Sequence, residues 1–250
     1  MEILGRSSRT INKLLDYLVG LLIILIILYA SFSLYSSYML FRGAFVSDKL
    51  LSLKPEADPT SGEPLSFEGL KSINEDVRAW LTVDNTNIDH PVLYGETNLE
   101  YINKDVYGNF AFEGSLFLDT RNDQHFNNPY SLIYGHHMEH GAMFGDLHLF
   151  LEKNFFDNNK TGSLLTEQGS YHIDFFAIAQ ADGYDPYVFN PTHVVDKQTK
   201  NAFLQYIEKI KVHSRPIDIG EDERIIGLST CTSTQTNGRT ILFGVLRPNP

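Results

Sequence analysis

The chain has 250 residues, 42% of them apolar, with 20 lysines and arginines against 31 aspartates and glutamates and a formal net charge of −11. That supplies one good hydrophobic core, and an acidic balance without a basic stripe beyond the N-terminus argues against a nucleic-acid partner, since phosphate binding depends on clustered cations. Cys231 is the only cysteine, so no disulfide forms within the chain.

Residues 1–16 contain Arg6, Arg9 and Lys13, and the run from Tyr17 to Phe41 has no charged residue. As a helix that run rises roughly 37 Å at 1.5 Å per residue, enough to cross a hydrocarbon core of about 30 Å. It exceeds the apolar stretch of about 7 to 15 residues in a cleaved signal peptide, so residues 17–41 are expected to be an uncleaved membrane anchor. Arg6, Arg9 and Lys13 before it, set against Arg42 and Lys49 after it, favour a single-pass protein of the cell membrane. Residues 1–16 are then cytoplasmic and the folded part extracellular. Residues 42–66, with LKPEADPTSGEPLS in their second half, read as a linker. The domain is expected over 67–250.

Phe67, Leu70, Ile73, Val77, Trp80 and Leu81 recur at spacings of three and four, which predicts helix over 67–80, as one helix or broken near Asn74. Beyond Trp80 come short β-branched and aromatic runs separated by turn residues, among them IDHPVL, SLFLD, YSLIYG, SYHIDFFAIAQ, RIIGLSTC and RTILFGVL. These predict a mainly antiparallel barrel or sandwich. Met143 to Phe156 and Lys197 to Val212 carry helical periodicity instead.

Cys231 ends RIIGLSTC, and a polar TSTQTNG precedes RTILFGVL. Two strands joined so closely are expected to pair antiparallel, which makes Cys231 and Arg239 neighbours. A guanidinium beside a sulfur favours the thiolate or holds the oxyanion that forms when the sulfur attacks a carbonyl. Arg247, eight residues further on, is roughly 26 Å away along an extended strand. As a lone cysteine, Cys231 also admits a plainer reading, a small buried hydrophobe in a non-catalytic adhesion domain.

A nucleophilic thiol needs a proton-handling partner, and Gly135 to Gly141, GHHMEHG, offers three imidazoles. His136, Glu139 and His140 also fit the H-x-x-E-H pattern of one group of zinc peptidases. That pattern needs a helix, whereas Gly135 and Gly141 bound this segment within one turn. A zinc hydrolase is therefore kept only as an alternative.

Together these segments resemble the class B sortases, membrane-anchored cysteine transpeptidases of Gram-positive cell surfaces. INEDVRAWLTVDNTNIDHPVLYG resembles that family's helix and first strands, and EGSLFLDTRN its next strand. SLIYGHHMEHGAMFGDL resembles its histidine segment, and LSTC followed by NGR its cysteine and arginine segments. In that family the histidine directly after the glycine is catalytic, which carries over to His136 and leaves His137 and His140 as neighbours. The family usually has threonine where this chain has Gly227.

The resemblance implies an eight-stranded β-barrel with N-terminal helices over 67–80 and a long helix, 197–212, between the sixth and seventh strands. It implies a catalytic set of His136, Cys231 and Arg239, with Ser229, Thr230, Tyr184 and Tyr187 lining the substrate groove. Cys231 would attack the carbonyl after Thr in a C-terminal sorting motif resembling Asn-Pro-any-Thr-Asn or Gly, giving a thioester. An amine would then displace the enzyme. The partners implied are a surface protein or pilin bearing the motif and, as acceptor, a peptidoglycan precursor or a pilin lysine. No metal or cofactor is expected. Asp119 in FLDTRN is considered as a residue that orients His136.

Overall fold

The structure, a computed structural model, describes residues 2–56, 65–231 and 237–249. The side chain of Cys231, the loop 232–236 and the middle of the expected linker, 57–64, lie outside the described residues. The chain divides into two compact units, 1–42 and 43–250.

The first unit is a single helix, Glu2–Arg42. Its Asn12–Tyr38 portion, 27 residues with mean hydropathy 2.5, is long and apolar enough to cross a membrane. The apolar side chains along it are exposed to the surroundings, as a lipid-facing helix requires and a core helix does not.

The second unit is built on nine strands among the described residues: β1 Val77–Val83, β2 Asp89–Leu93, β3 Leu116–Leu118, β4 Tyr130–Tyr134, β5 Thr161–Thr166, β6 Gly169–Asp182, β7 Lys211–Ser214, β8 Arg224–Cys231 and β9 Gly238–Pro248. Their order is β5-β1-β2-β3-β4-β8-β9-β6-β7, with β5 also pairing β6. That last pairing closes eight strands into a barrel. The 14-residue β6 makes closure possible by sharing one edge: residues 169–174 pair with β5, and Ala177 to Ala179 pair with β7. A register shift between Phe175 and Ala177, where β6 meets β9, bends the strand at the division. The β2–β3 and β4–β8 pairs are parallel and the others antiparallel.

Local sequence explains most of these choices. DNTN joins β1 to β2 with Asn85 at φ 60°, a conformation asparagine tolerates better than most residues. The helix Lys197–Ile210 starts at a reciprocal cap, in which the Asp196 carboxylate accepts from Thr199 N–H and the Thr199 hydroxyl accepts from Asp196 N–H. Its Phe203 and Ile207 pack with Tyr130, Phe176 and Phe243 in one core cluster.

Three helix expectations change. Over 67–80 only Glu68–Lys71 is helical, and Val77 onward is β1. In VRAWLTV five of seven residues are buried, on both faces of the strand, so apolar spacing there resembled a helical stripe by coincidence. Over 143–156 a 3₁₀ turn, Gly145–Leu151, is separated from the helix Lys153–Asn158 by the extended Glu152. The long helix stops at Ile210, where Lys211 and Val212 open β7.

Part of the stretch expected as a linker packs against the barrel. Ala44 is buried, Asp48–Leu51 is a helical turn, and Leu50 joins Phe67, Trp80 and Leu93 in a second core cluster. Lys54 bonds Asp89 at 2.6 Å, and Asp89 also accepts from Trp80 Nε1 at 2.6 Å.

Candidate active site

Three adjacent strands bring the expected catalytic residues to one end of the barrel. β8 and β9 pair in antiparallel register from Arg224↔Leu246 to Cys231↔Arg239, so the cysteine and arginine face each other across the strands. On the other side of β8, the parallel pairing with β4 ends at Tyr134↔Ser229. One residue on, Gly135 N–H donates to the Ser229 carbonyl at 3.1 Å. His136 follows two places past Tyr134 and Cys231 two places past Ser229, beyond the same end of this ladder.

Gly135 is there because nothing larger fits. A Cβ would come within 2.4 Å of Leu116 Cδ2 and 2.7 Å of Phe144 Cδ2. Beyond His136 the chain turns sharply, with His140 at φ 58° and Gly141 at φ 75°. Asp146 pins this turn to the β1–β2 connection by accepting from the Asn87 backbone N–H (2.8 Å) and Nδ2 (2.9 Å). The α-helix that H-x-x-E-H zinc binding requires does not form here: Glu139 to Gly141 make only a 3₁₀ turn, broken at His140. Among the described residues no three His, Cys, Asp or Glu side chains are grouped to hold a metal, and the zinc-hydrolase alternative has no support.

A cavity of about 330 Å³ opens at this end, and His136, Ser229, Thr230 and Arg239 all line it. Ser229 and Thr230 are almost wholly buried, yet neither hydroxyl has a hydrogen-bond partner among the described residues. Buried hydroxyls without partners are costly. Arg239 sits half-buried, its Nη1 donating to the carbonyl of Gly238 at 3.2 Å. Burial holds the His136 imidazole below its ordinary pKa, so at neutral pH it is the uncharged form, able to accept a proton.

Tyr184 and Tyr187 are not in this lining. Both are exposed, and Tyr187 stacks on Tyr206 with ring centroids 4.7 Å apart. Gly183 and Phe189, from the same connection, line the cavity instead. His137 turns away from the cavity to an edge-on contact with His148 at 5.6 Å. Asp119 does not act on His136; its carboxylate is engaged by Arg121 and by the Tyr134 hydroxyl. Arg121 and Tyr134 themselves line the cavity and carried no signal in the sequence that marked them.

No family model matches the chain. Sortase B of Listeria monocytogenes is 30% identical over 179 residues, covering 71% of this chain and 72% of that protein. The chain belongs to the class B sortases. Sortase B of Staphylococcus aureus is likewise 30% identical, over 165 residues, covering 66% of this chain and 67% of its own length. Among solved structures, a Streptococcus pyogenes class B sortase involved in pilus biogenesis is 43% identical, with a TM-score of 0.67 over 73% of this chain and 98% of that one. The Staphylococcus aureus sortase B–substrate complex has 27% identity and a TM-score of 0.67 over 74% of this chain and 85% of that one. This class B sortase thus has the family's eight-stranded barrel and belongs to a family of cysteine transpeptidases, which act on a substrate protein and an amine acceptor.

Proposed function

We propose that this sortase cleaves a C-terminal sorting motif after its threonine and joins the new carboxyl end to an amine, with Cys231, His136 and Arg239 as its catalytic residues. The observation that carries the reading is the register pair Cys231↔Arg239 beside a cavity lined by both His136 and Arg239.

His136 takes the Cys231 thiol proton as the sulfur attacks the threonine carbonyl carbon, and the carbonyl oxygen takes up the negative charge, with Arg239 as its donor. Collapse breaks the carbon–nitrogen bond, and the leaving amine takes a proton from His136, which leaves a thioester. The incoming amine gives a proton to His136 and attacks the thioester carbon, and the sulfur departs. Ser229 and Thr230, which line the cavity, form part of the wall against which the peptide lies.

The acceptor in this reading is the amine of a peptidoglycan cross-bridge, and the substrate is a surface protein. Because of the apolar helix Asn12–Tyr38, we read the enzyme as a single-pass protein of the cell membrane with residues 1–16 cytoplasmic, the anchor over 17–41 and residues 67–250 as the catalytic domain outside. A second reading, polymerisation of pilin through a lysine amine, is favoured by the 43% identity with the pilus-biogenesis sortase.

The test is a peptide carrying Asn-Pro-Gln-Thr-Gly or Asn-Pro-Gln-Thr-Asn, incubated with triglycine or with a lysine-bearing pilin peptide, the products being read by mass spectrometry. Ligated product from the wild type and none from Cys231→Ala supports the proposal. Turnover retained in Cys231→Ala ends it. The amine that is taken up decides between wall anchoring and pilin joining.

A further inference from the structure

Asp119 is 0% exposed, whereas the side chain of Arg121, two residues on, is 41% exposed. The two are locked together. Asp119 Oδ1 accepts from the Arg121 backbone N–H at 2.9 Å and from Nε at 2.8 Å, and Oδ2 accepts from Nη2 at 2.6 Å. The Tyr134 hydroxyl donates to the same Oδ2 at 3.0 Å. Arg121 Nη2 also donates to the Phe189 carbonyl at 2.6 Å.

The backbone of the turn is held independently. Thr120 N–H donates to Asn98 Oδ1 at 2.8 Å, and the Tyr94 hydroxyl donates to the carbonyls of Thr120 (2.9 Å) and Asn122 (3.1 Å). A fully buried carboxylate is costly to desolvate, and an ion pair with a half-exposed arginine is a poor way to gain stability. What the arrangement does accomplish is to fix a guanidinium that lines the same cavity as His136 and Arg239.

We propose that Arg121 is a substrate-holding residue, whose guanidinium donates to a carbonyl oxygen of the sorting peptide. Asp119 offsets the guanidinium charge, so the group offers directional donors with little net charge, which suits a neutral carbonyl better than a carboxylate. Arg121 is thus a second guanidinium in the groove, separate from the one at Arg239. Through Nη2 it also ties the groove wall at Phe189 to the barrel. The inference rests on the proposed peptide substrate.

The experiment compares wild type with Arg121→Lys and with the paired variant Asp119→Asn/Arg121→Gln, which leaves no buried charge unpaired. Folding of each is confirmed by thermal melting. Two rates are read: turnover of the Asn-Pro-Gln-Thr-Gly and Asn-Pro-Gln-Thr-Asn peptides with triglycine, and alkylation of Cys231 by iodoacetamide, which needs no peptide. Loss of one peptide hydrogen bond raises KM about tenfold with kcat and alkylation each within about twofold of wild type. Arg121→Lys keeps the charge but not the fork, and recovers less than half of that loss. An unchanged KM in a folded variant overturns the inference, as does a parallel fall of alkylation and kcat, which marks a purely structural role. A wild type that turns over neither peptide counts against the proposed reaction itself rather than against Arg121 alone.

Discussion

Gly227 on β8 faces Tyr130 on β4 so closely that a Cβ at position 227 would stand 2.7 Å from the tyrosine hydroxyl. That hydroxyl is buried and donates to the Val188 carbonyl at 3.1 Å, while the ring packs on Phe203 and Phe243. Tyr130 therefore has no room to move. The threonine usual in the family at this place would displace it, and the glycine is the local partner of a large tyrosine. Gly227→Ala is expected to destabilise the protein by about 1 to 3 kcal/mol, the usual range for overpacking. Adding Tyr130→Phe should recover part of this, because the clashing oxygen goes. Chemical denaturation of the two single variants and the double variant measures the coupling; strictly additive losses would show that the two positions do not interact.

The residues that carry the proposed chemistry were readable because hairpin geometry is local. RIIGLSTC and RTILFGVL announce two strands, and the short connection leaves Cys231 and Arg239 one pairing to adopt, the one observed. His136 was singled out from three imidazoles only by resemblance to the family, whose catalytic histidine follows a glycine, and here that glycine has no space for a side chain. Arg121 was not readable. Its place in the cavity depends on the parallel β2–β3 pairing, on the turn after β3, and on an interaction with Phe189, 68 residues away. None of these leaves a periodic trace. The helix expected over 67–80 failed because Val77, Ala79, Leu81 and Val83 alternate as a strand does, while Trp80, buried on the opposite face, adds the spacing of three that imitates a helix.

His90 on β2 is buried, and its Nε2 has no hydrogen-bond partner among the described residues. Burial lowers its pKa to about 4, opposed only by the charge of Asp89. In the unfolded chain the same imidazole titrates near 6.5. Between those values the unfolded state binds a proton that the native state refuses, so native stability falls as pH drops from about 6.5 and stops falling from this cause below about 4. The full loss is on the order of 3 kcal/mol at 1.36 kcal/mol per pKa unit. Burial pushes the neighbouring Asp89 carboxyl up, but hydrogen bonds from Lys54, Trp80 and Thr82 outweigh it and leave the group below its ordinary value. Its stabilisation is lost only at more acidic pH, outside the His90 window. Denaturant titrations at pH 7 and pH 4.5 should show His90→Gln losing markedly less stability than wild type. Equal losses in the two proteins would mean that the fold leaves the His90 pKa at its unfolded value.

The His136 pKa is lowered for the same reason, and in the proposed reaction its effect falls on turnover. Burial disfavours the imidazolium and holds its pKa below the ordinary histidine value of 6.5. An unperturbed thiol titrates near 8.5, so of the two macroscopic limbs that bound kcat/KM the acidic one reports the histidine, whichever group carries the proton in the reactive form. Turnover should stay level as pH falls through 6.5 and decline only below it. In Cys231→Ala, where no thiol can couple to the imidazole, the His136 ring proton resonances followed by NMR should give the same low midpoint. An acidic limb at or above 6.5, with the NMR midpoint to match, would mean that the imidazole is stabilised as a cation in the groove. Only a histidine midpoint above that of the thiol would make the thiolate–imidazolium pair, rather than the neutral pair, the resting state of this sortase.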